Sequence, residues 1–309
     1  MLTTVFYHAH CLDGFGAAYA AWRHFGDQAS YRPMHYDQPW EHEDVIGRDV
    51  FILDFSFAPA SLRTMASMAH RVHLIDHHVS AQQPWAAVLK FREDGMACYH
   101  DPDLPLDLDF NLNKSGARLA WEHFQAGVPC PLALQHIEDQ DLWRFQLPGT
   151  RAFCRALRLS AFDFPTWDRI IQDAHAPDSP RYRSMLAQGE AIENFCALEV
   201  QRLAESQLVM PAILQNVTGL AINASALFSS DLGHQLAQRS GTFGLIWQLG
   251  QDGMVQVSLR ANGKTNVAEL AQQQGGGGHP NAAGFQMPAV RFFAEVLAAS
   301  PSTPTSSIV

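Results

Sequence analysis

The stretch Leu74-Ile75-Asp76-His77-His78 ends an apolar run that begins at Val72. A short apolar run of this kind predicts a buried β-strand, and a parallel strand delivers its carboxyl end to a loop where ligands bind. One carboxylate and two imidazoles follow the run directly. Their oxygen and nitrogen atoms suit borderline ions such as manganese, iron or zinc. The stretch therefore predicts a metal site at the end of a parallel strand.

Two earlier apolar runs end in the same way. Residues 3–7 run into His8, and residues 50–53 run into Asp54. Helical patterns separate the three runs, which predicts βαβ units and a parallel sheet. A carboxylate that only caps a loop is the alternative at each strand end taken alone. Three such endings in succession favour a shared site. Gly14 and Gly16 are predicted to tighten the turn after His8.

Composition limits the function classes that the chain can serve. The 309 residues carry a net charge of −10, which disfavours attraction to long nucleic acid. Five cysteines without a C-x-x-C pair predict free thiols in a reducing cytoplasm. The sequence shows neither an apolar run of membrane-spanning length nor a signal peptide, so no membrane partner is expected.

The middle of the chain adds further carboxylates. Residues 93–114 are predicted to be mostly loop with room for one strand, and their Asp residues to be solvated rather than a calcium site, because the glycine and final glutamate of an EF-hand are absent. Ser115 is predicted to cap the helix that follows it. A further helix over residues 132–138 runs into Asp139 and Asp141. Carboxylates at a helix end oppose the helix dipole, which favours a functional role for them.

The last third of the chain predicts a second α/β unit. A long amphipathic helix over residues 180–208 is predicted to connect the two units. Strands are predicted at 217–222, 243–249 and 254–259, and helices at 231–238 and 267–273. Four glycines, Gly275 to Gly278, then precede His279. Consecutive glycines favour close approach of backbone amides to an anion, with a flexible linker as the alternative. The guanidinium of Arg260 could bind the same anion.

These motifs resemble those of the DHH phosphoesterase superfamily, in the branch that carries a DHHA1 C-terminal domain. The resemblance covers nearly the whole chain. Its motifs are Asp76-His77-His78, His8 with Asp13-Gly14, Asp54, Asp139 to Phe145, and Gly275 to Gly284 with Arg260 upstream. The resemblance implies an α/β fold with an N-terminal parallel-sheet DHH domain, a smaller mixed-sheet α/β DHHA1 domain, and an active site in the cleft between them. The expected ranges are 1–180 for the catalytic domain, 181–212 for a connecting helix, 213–299 for the DHHA1 domain, and 300–309 for a disordered tail.

The resemblance also implies a function. Family members are metal-dependent phosphohydrolases, so the chain is expected to cleave short oligonucleotides or small nucleotides, including cyclic ones. Two manganese ions are expected, with magnesium or cobalt as alternatives. Exopolyphosphatase or pyrophosphatase activity stays open as a second function, and non-catalytic nucleotide binding as a third.

The family motifs assign roles to individual residues. The expected metal ligands are His8, Asp13, Asp54, Asp76, His77 and Asp139. The expected catalytic residues are Asp54, His77 and His78, and the expected substrate contacts are His78, Arg260, Gly276, Gly277, Gly278 and His279. The first motif departs from the family pattern, because it has one Asp and His10 or Cys11 stands at the place of the other. His10 is open between a ligand, a supporting group and a surface residue. Asp141 is expected to support Asp139 or to cap the helix.

Overall fold

The structure, a computed structural model, describes residues 2–35 and 38–297. The chain forms two compact units, Met1–Glu193 and Asn194–Val309. The tail that was expected to be disordered, residues 300–309, lies outside the described residues.

The first unit is built on a seven-stranded sheet. Its strands are β1 (Thr3–His8), β2 (Ala29–Met34), β3 (Asp49–Leu53), β4 (Arg71–Asp76), β5 (Lys90–Phe91), β6 (Ala97–His100) and β7 (Leu106–Phe110). Its helices are α1 (Leu12–Phe25), α2 (Pro59–Ala66), α3 (Val79–Gln82), α4 (Gly116–Phe124), α5 (Leu132–Asp141), α6 (Thr150–Leu157) and α7 (Phe164–Asp173). The strand order is β2-β1-β3-β4-β7-β6-β5. The first five strands are parallel, β6 pairs antiparallel with β7, and β5 pairs antiparallel with β6. The predicted parallel sheet is confirmed, with an antiparallel extension at one side.

Both faces of this sheet are covered, as the continuous apolar runs of its central strands predict. On one face, Val5, Leu53 and Ile75 pack in a core with residues of α1, α4 and α5. On the other face, Ile52 and Leu74 pack with residues of α2. Because β1, β3 and β4 are parallel and in register, their carboxyl ends meet at one edge of the sheet.

Residues 93–114 are more regular than the sequence predicted. They supply β6 and β7, and β7 pairs with β4 inside the sheet. The predicted solvated loop is therefore wrong for this stretch. Asp101 is buried, and its carboxylate accepts hydrogen bonds from the backbone N–H groups of Asp103 and Leu104 and pairs with Arg63. The sequence pattern indicated mostly loop here, because its charged side chains are typical of a solvated loop. Their partners come from distant parts of the chain.

The prediction that Gly14 and Gly16 tighten a turn is also wrong, because both glycines lie inside α1. A Cβ atom on Gly14 would lie 2.2 Å from the carbonyl oxygen of His8, and one on Gly16 would lie 2.8 Å from Cβ of Ala117. The glycines therefore let α1 pack closely against β1 and α4. The turn itself is made by His10, whose φ is 53°.

The second unit contains a six-stranded mixed sheet. Its strands are β8 (Met210–Leu214), β9 (Val217–Asn223), β10 (Phe243–Leu249), β11 (Met254–Ala261), β12 (Gly277–His279) and β13 (Ala282–Pro288), in the order β12-β13-β11-β10-β9-β8. Its helices are α9 (Ser229–Ser240), α10 (Val267–Gln272) and α11 (Ala289–Arg291), with a π-helical turn at Phe292–Val296. Only β9 and β10 are parallel among the described strands of this sheet, and α9 connects them. The expected smaller mixed-sheet α/β unit is confirmed.

The connecting helix is shorter than the predicted range of 181–212. Helix α8 (Pro180–Ala204) ends where the hydroxyl of Ser206 donates a hydrogen bond to the carbonyl of Leu203. Residues 210–214 then form β8, whose Pro211 could not continue a helix. In the part of the chain that the structure describes, every helix is too short or too polar to cross a lipid bilayer.

Candidate metal centre

The carboxyl ends of β1, β3 and β4 bring together the predicted imidazoles and carboxylates. His8 is the last residue of β1, Asp54 follows β3 directly, and Asp76 is the last residue of β4. Helix α1 adds Asp13 from its first turn, and α5 adds Asp141 at its end. Three groups of these side chains place their ligand atoms within 4.8 Å of one another. They are Asp54 with Asp76, His77 and His78; Asp13 with His77 and Asp141; and His8 with Cys11 and Asp54.

His77 lies at the middle of this arrangement. Its Nε2 is 3.0 Å from Oδ1 of Asp54, 3.5 Å from Oδ2 of Asp13 and 3.5 Å from Oδ2 of Asp141. The His77 side chain is 1% exposed. One imidazole therefore faces three carboxylates in an environment that excludes most water.

Asp54 is oriented by an unusual backbone conformation. Its φ is 62°, in the left-handed region that residues other than glycine rarely adopt. Its backbone N–H donates to the carbonyl of Ile75 at the end of β4. Oδ1 then faces His77, while Oδ2 lies 3.5 Å from Nδ1 of His8. The two oxygens of one carboxylate thus face two different histidines.

Asp76 fixes the conformation of the segment Asp76–His78, which we call the DHH loop. Its Oδ1 accepts hydrogen bonds from the backbone N–H of His77 at 2.7 Å, from the backbone N–H of His78 at 3.3 Å, and from Nδ1 of His78 at 2.7 Å. Asp76 is fully buried. One oxygen of Asp76 therefore fixes the loop and the ring of His78, while the other oxygen makes none of these bonds.

The amino end of α4 supports the centre through hydrogen bonds from its backbone N–H groups. The backbone N–H groups of Gly116 and Ala117 donate to the carboxylate of Asp13 at 2.6 Å and 3.0 Å. A Cβ atom on Gly116 would lie 2.6 Å from Oδ1 of Asp54, so only glycine fits there. Ser115 caps this helix by accepting from the N–H of Arg118, as predicted. The sequence analysis did not identify Gly116 as part of the site, although a glycine directly after a helix cap was a possible signal.

The pKa shifts of the clustered side chains show that the cluster carries an excess of negative charge. Burial raises the pKa of Asp13 well above its usual value, and the nearby Asp54 and Asp141 raise it further. Burial lowers the pKa of His77, but hydrogen bonding to Asp54 and the charges of the other carboxylates outweigh this and raise it well above its usual value. The crowded carboxylates therefore hold protons on the cluster. A divalent ion would supply the charge that those protons provide.

The residues present fit divalent metal ions. Among the residues that the structure describes, Oδ2 of Asp76 is buried and accepts no hydrogen bond, and the buried Oδ2 of Asp54 lies 3.5 Å from Nδ1 of His8, which is longer than an ordinary hydrogen bond. A buried carboxylate oxygen without a donor is costly unless a cation faces it. Imidazole nitrogens and carboxylate oxygens together suit ions such as Mn²⁺, Fe²⁺ or Zn²⁺. The overlap of the three groups at Asp54 and His77 gives room for more than one ion.

The structure gives Asp139 and Asp141 different surroundings. Asp139 is buried, and its carboxylate accepts from the backbone N–H groups of Gln146 and Leu147 and from the hydroxyl of Thr150. Asp141 faces His77 at 3.5 Å. Helix α5 continues to Asp141, and two residues on a helix differ by roughly 200° around its axis. The predicted ligand role of Asp139 stays a prediction, and the contact with His77 makes Asp141 the carboxylate that we propose in its place.

The open question about the first motif also has a structural answer. His10 is exposed, and its ring stacks on the ring of His35 at a centroid distance of 5.2 Å. It does not join the groups of ligand atoms among the described residues. Cys11 does lie with His8 and Asp54, but burial and the nearby carboxylates raise the pKa of its thiol well above the usual value.

In the second unit, Arg260 and His279 are in register with the same residue of the sheet. Both pair with Ala282 of β13, Arg260 from β11 and His279 from β12. Residues in register on neighbouring strands share a face of the sheet, so the two side chains flank Ala282 on the same side. The guanidinium of Arg260 donates to the hydroxyl of Ser230, and burial lowers its pKa to about 10.

Comparisons with known proteins agree with this architecture. A family model of the DHHA1 domain matches residues 230–300. The second unit contains a DHHA1 domain. This match agrees with the DHHA1 part of the resemblance. An uncharacterized protein of Acanthamoeba polyphaga mimivirus is 27% identical over 313 residues, which are 93% of this chain and 68% of the viral protein.

Two solved structures are also similar. RecJ from Thermus thermophilus, in complex with Mn²⁺, is 14% identical with a TM-score of 0.46, over 95% of this chain and 50% of RecJ. The pGpG-specific phosphodiesterase PggH from Vibrio cholerae is 14% identical with a TM-score of 0.40, over 95% of this chain and 94% of PggH.

The glycines of the DHHA1 domain have a structural role that the sequence analysis did not foresee. Gly275, with φ of 83°, ends α10, and its N–H donates to the carbonyl of Gln272. Gly278, with φ of 137°, lies in β12, where a Cβ atom would be 2.5 Å from the carbonyl oxygen of Ala282. The stretch is thus a helix end followed by a tight β-hairpin, and the flexible-linker alternative is wrong.

Proposed function

We propose that this chain is a metal-dependent phosphoesterase that hydrolyses the phosphodiester bonds of short oligonucleotides or small nucleotides, including cyclic ones. The observation that carries the proposal is the buried cluster at the ends of β1, β3 and β4. It combines four carboxylates with three imidazoles; among the described residues, Oδ2 of Asp76 accepts no hydrogen bond and Oδ2 of Asp54 lies 3.5 Å from Nδ1 of His8. Such a cluster suits cations that in turn bind a phosphate.

The ions in this proposal are held by residues that already face one another. They are His8, Asp13, Asp54, Asp76, His77 and Asp141. Asp54 is the candidate for a shared ligand, because its two oxygens face His8 and His77 separately. Bound divalent ions would neutralise the charge of the phosphate and lower the pKa of the attacking water. Manganese is the proposed ion, and magnesium or cobalt are alternatives that the same donors accept.

His78 is the proposed contact between the centre and the reacting phosphate. Its Nδ1 is held by Oδ1 of Asp76 at 2.7 Å, and its side chain is 14% exposed. A carboxylate that fixes one ring nitrogen orients the other, as in other histidine–carboxylate pairs. In this position His78 donates a hydrogen bond to the phosphate and a proton to the leaving oxygen.

The DHHA1 domain is the proposed substrate anchor. Arg260 and His279 flank Ala282 on one face of its sheet, next to the glycine hairpin of Gly276 to Gly278. A guanidinium fork matches the oxygens of a phosphate. The net charge of −10 favours short substrates over long nucleic acid, because long-range attraction to a polyanion is absent.

Two other functions share the same residues. Hydrolysis of polyphosphate or pyrophosphate would use the metal centre without base recognition. Non-catalytic nucleotide binding is favoured by one observation, the absence of a second carboxylate in the first motif, where His10 turns away to His35. Turnover with manganese would exclude the binding protein, and a preference for dinucleotides over polyphosphate would exclude the second hydrolase.

The experiment is a substrate panel with the full chain. Dinucleotides, short oligonucleotides, cyclic nucleotides, polyphosphate and pyrophosphate are incubated with Mn²⁺, Mg²⁺, Co²⁺ or Zn²⁺, and released products are quantified. Asp54→Asn serves as the inactive control and His10→Gln as the matched control outside the cluster. We expect turnover of a nucleotide substrate that Asp54→Asn loses and His10→Gln keeps. Turnover that survives Asp54→Asn would contradict the assigned site.

A further inference from the structure

A second group of metal-type side chains lies in the first unit, apart from the centre described above. His73, Asp109 and His123 place one ligand atom each within 4.8 Å of one another. His73 precedes Asp76 by three residues on β4, which is about 10 Å of strand and the opposite face of the sheet. The proposed phosphoesterase mechanism uses none of these three side chains.

The strands bring the first two of them together. Asp109 of β7 pairs with Ile75 of β4, and Ile75 lies on the same face as His73. His73 and Asp109 are therefore diagonal neighbours, and Nε2 of His73 is 2.8 Å from Oδ2 of Asp109. The His73 side chain is 7% exposed and that of Asp109 is 27% exposed, so the pair is sheltered but open on one side.

Helix α4 supplies the third side chain. The ring of His123 stands edge-on to the ring of His73, with 4.8 Å between centroids. Phe51 packs against both rings, at 6.0 Å from His73 and 5.9 Å from His123. This aromatic wall limits the orientations of the two imidazoles. His123 is exposed at its outer side, which gives an ion a way in.

We propose that His73, Asp109 and His123 form a second site for a divalent transition-metal ion of the zinc class. Two imidazole nitrogens and one carboxylate oxygen are a donor set that zinc takes with three protein ligands and a fourth position open to water. Magnesium and calcium prefer oxygen ligands, so they are poor candidates here. An ion at this site would take the place of the hydrogen bond between His73 and Asp109.

Other histidine–carboxylate pairs show why the third donor matters. His70 with Asp49 and His100 with Asp107 are each joined at 2.7 Å. Among the described residues, neither of these pairs belongs to a group of three possible ligands. They are ordinary hydrogen-bonded pairs, and they offer matched controls for the proposed site.

Cys98 lies beside the carboxylate of this site. It pairs directly with Asp109 across β6 and β7, so the two side chains are neighbours on one face of the sheet. Partners that orient a ligand usually affect metal affinity by roughly 10- to 100-fold. Cys98 is therefore a positioning residue, and its loss should weaken the site less than the loss of His123.

The test counts zinc ions bound to the full chain. Metal is removed with a chelator, and Zn²⁺ is titrated in competition with a chromophoric indicator. We expect His123→Gln and Asp109→Asn each to lose one equivalent, with affinity lowered on the order of 100-fold or more, because a direct ligand contributes at least as much as a supporting one. His100→Gln, from the neighbouring pair, should keep that equivalent.

A second measurement separates this site from the first centre. Asp54→Asn should keep the zinc equivalent that His123→Gln loses, and the visible absorption of the Co²⁺-loaded chain should show the same pattern. The proposal is overturned if His123→Gln binds as many zinc ions as the parent chain with the same affinity, if His100→Gln loses the same equivalent, or if excess Mg²⁺ displaces the ion. None of these results depends on phosphoesterase activity.

Discussion

Asp139→Asn and Asp141→Asn are the same chemical change at two places on α5, and we expect opposite consequences. Asp139 accepts three hydrogen bonds in a buried position, whereas Asp141 faces His77 at 3.5 Å. The first variant should therefore lose stability and keep its chemistry. The second should keep its stability and lose its metal and its turnover.

The expected loss at position 139 can be worked from the contacts. Oδ2 accepts from the N–H of Leu147 at 3.0 Å and from the hydroxyl of Thr150 at 2.5 Å, and Oδ1 accepts from the N–H of Gln146 at 2.8 Å. An asparagine with its oxygen at the Oδ2 position keeps the bonds from Leu147 and Thr150 and turns its NH₂ group toward the N–H of Gln146. One charge-assisted bond is then lost and the two others lose their charge, which together costs about 3 kcal/mol. For a unit of this size that lowers the Tm by roughly 6–12 °C.

The pH dependence gives a second measure of the same bonds. Burial raises the pKa of Asp139, but the hydrogen bonds from Thr150, Gln146 and Leu147 outweigh this and lower it. A depressed pKa in the folded state means that the stabilisation is complete above the unfolded value of about 3.9 and is lost as pH falls through the folded value. The stability gap between parent and Asp139→Asn should therefore be full at neutral pH and close in acid.

Position 141 should behave differently. Desolvation and repulsion from Asp54 raise the pKa of Asp141, so its charge does not stabilise the metal-free fold at neutral pH. Asp141→Asn should leave the Tm of the metal-free chain unchanged or slightly higher. Its affinity for Mn²⁺ and its turnover should fall by at least about 100-fold, because outer partners of a metal already contribute 10- to 100-fold.

The assays are thermal unfolding of the metal-free chain, Mn²⁺ binding, and kcat on a dinucleotide, for both variants in parallel. Loss of Mn²⁺ binding in folded Asp139→Asn, with normal binding in Asp141→Asn, would refute the proposed ligand role of Asp141. Equal loss of Tm in both variants would refute the hydrogen-bond argument.

Three further outcomes are expected. Asp54→Asn and His77→Asn should each abolish turnover while far-ultraviolet circular dichroism stays unchanged; near-normal manganese-dependent activity in either would contradict the assigned centre. Arg260→Ala should reduce kcat/KM for short oligonucleotides much more than for a small artificial phosphodiester and leave Mn²⁺ affinity unchanged, whereas an equal loss on both substrates would place Arg260 in the chemical step. Gly116→Ala should weaken Mn²⁺ binding, because its Cβ would meet the Asp54 carboxylate at 2.6 Å; unchanged binding at unchanged Tm would show that α4 can move away.

Much of the first unit could be predicted from local patterns. Apolar runs that end at His8, Asp54 and Asp76 predicted three parallel strands and their shared edge, because a fully buried strand must be apolar on both faces. Edge and polar strands could not be predicted in this way. Strand β2 contains Arg32 and Pro33, and β7 contains Asp107 and Asp109, whose charges are matched by Arg71, His73 and His100 from other strands.

The residues of the metal centre also fall into those that local patterns predicted and those that depend on tertiary contacts. The sequence by itself determined which side chains follow the ends of β1, β3 and β4, because strand ends and motif order are local properties. Only the tertiary structure placed Asp141 beside His77 and three hydrogen-bond donors around Asp139, since these contacts depend on how far α5 continues and which of its sides meets His77. It also decided that Gly116 must be glycine, because its closest neighbour, Asp54, is distant in sequence. Contacts between distant segments have no local signature, and that is why the sequence alone left them open.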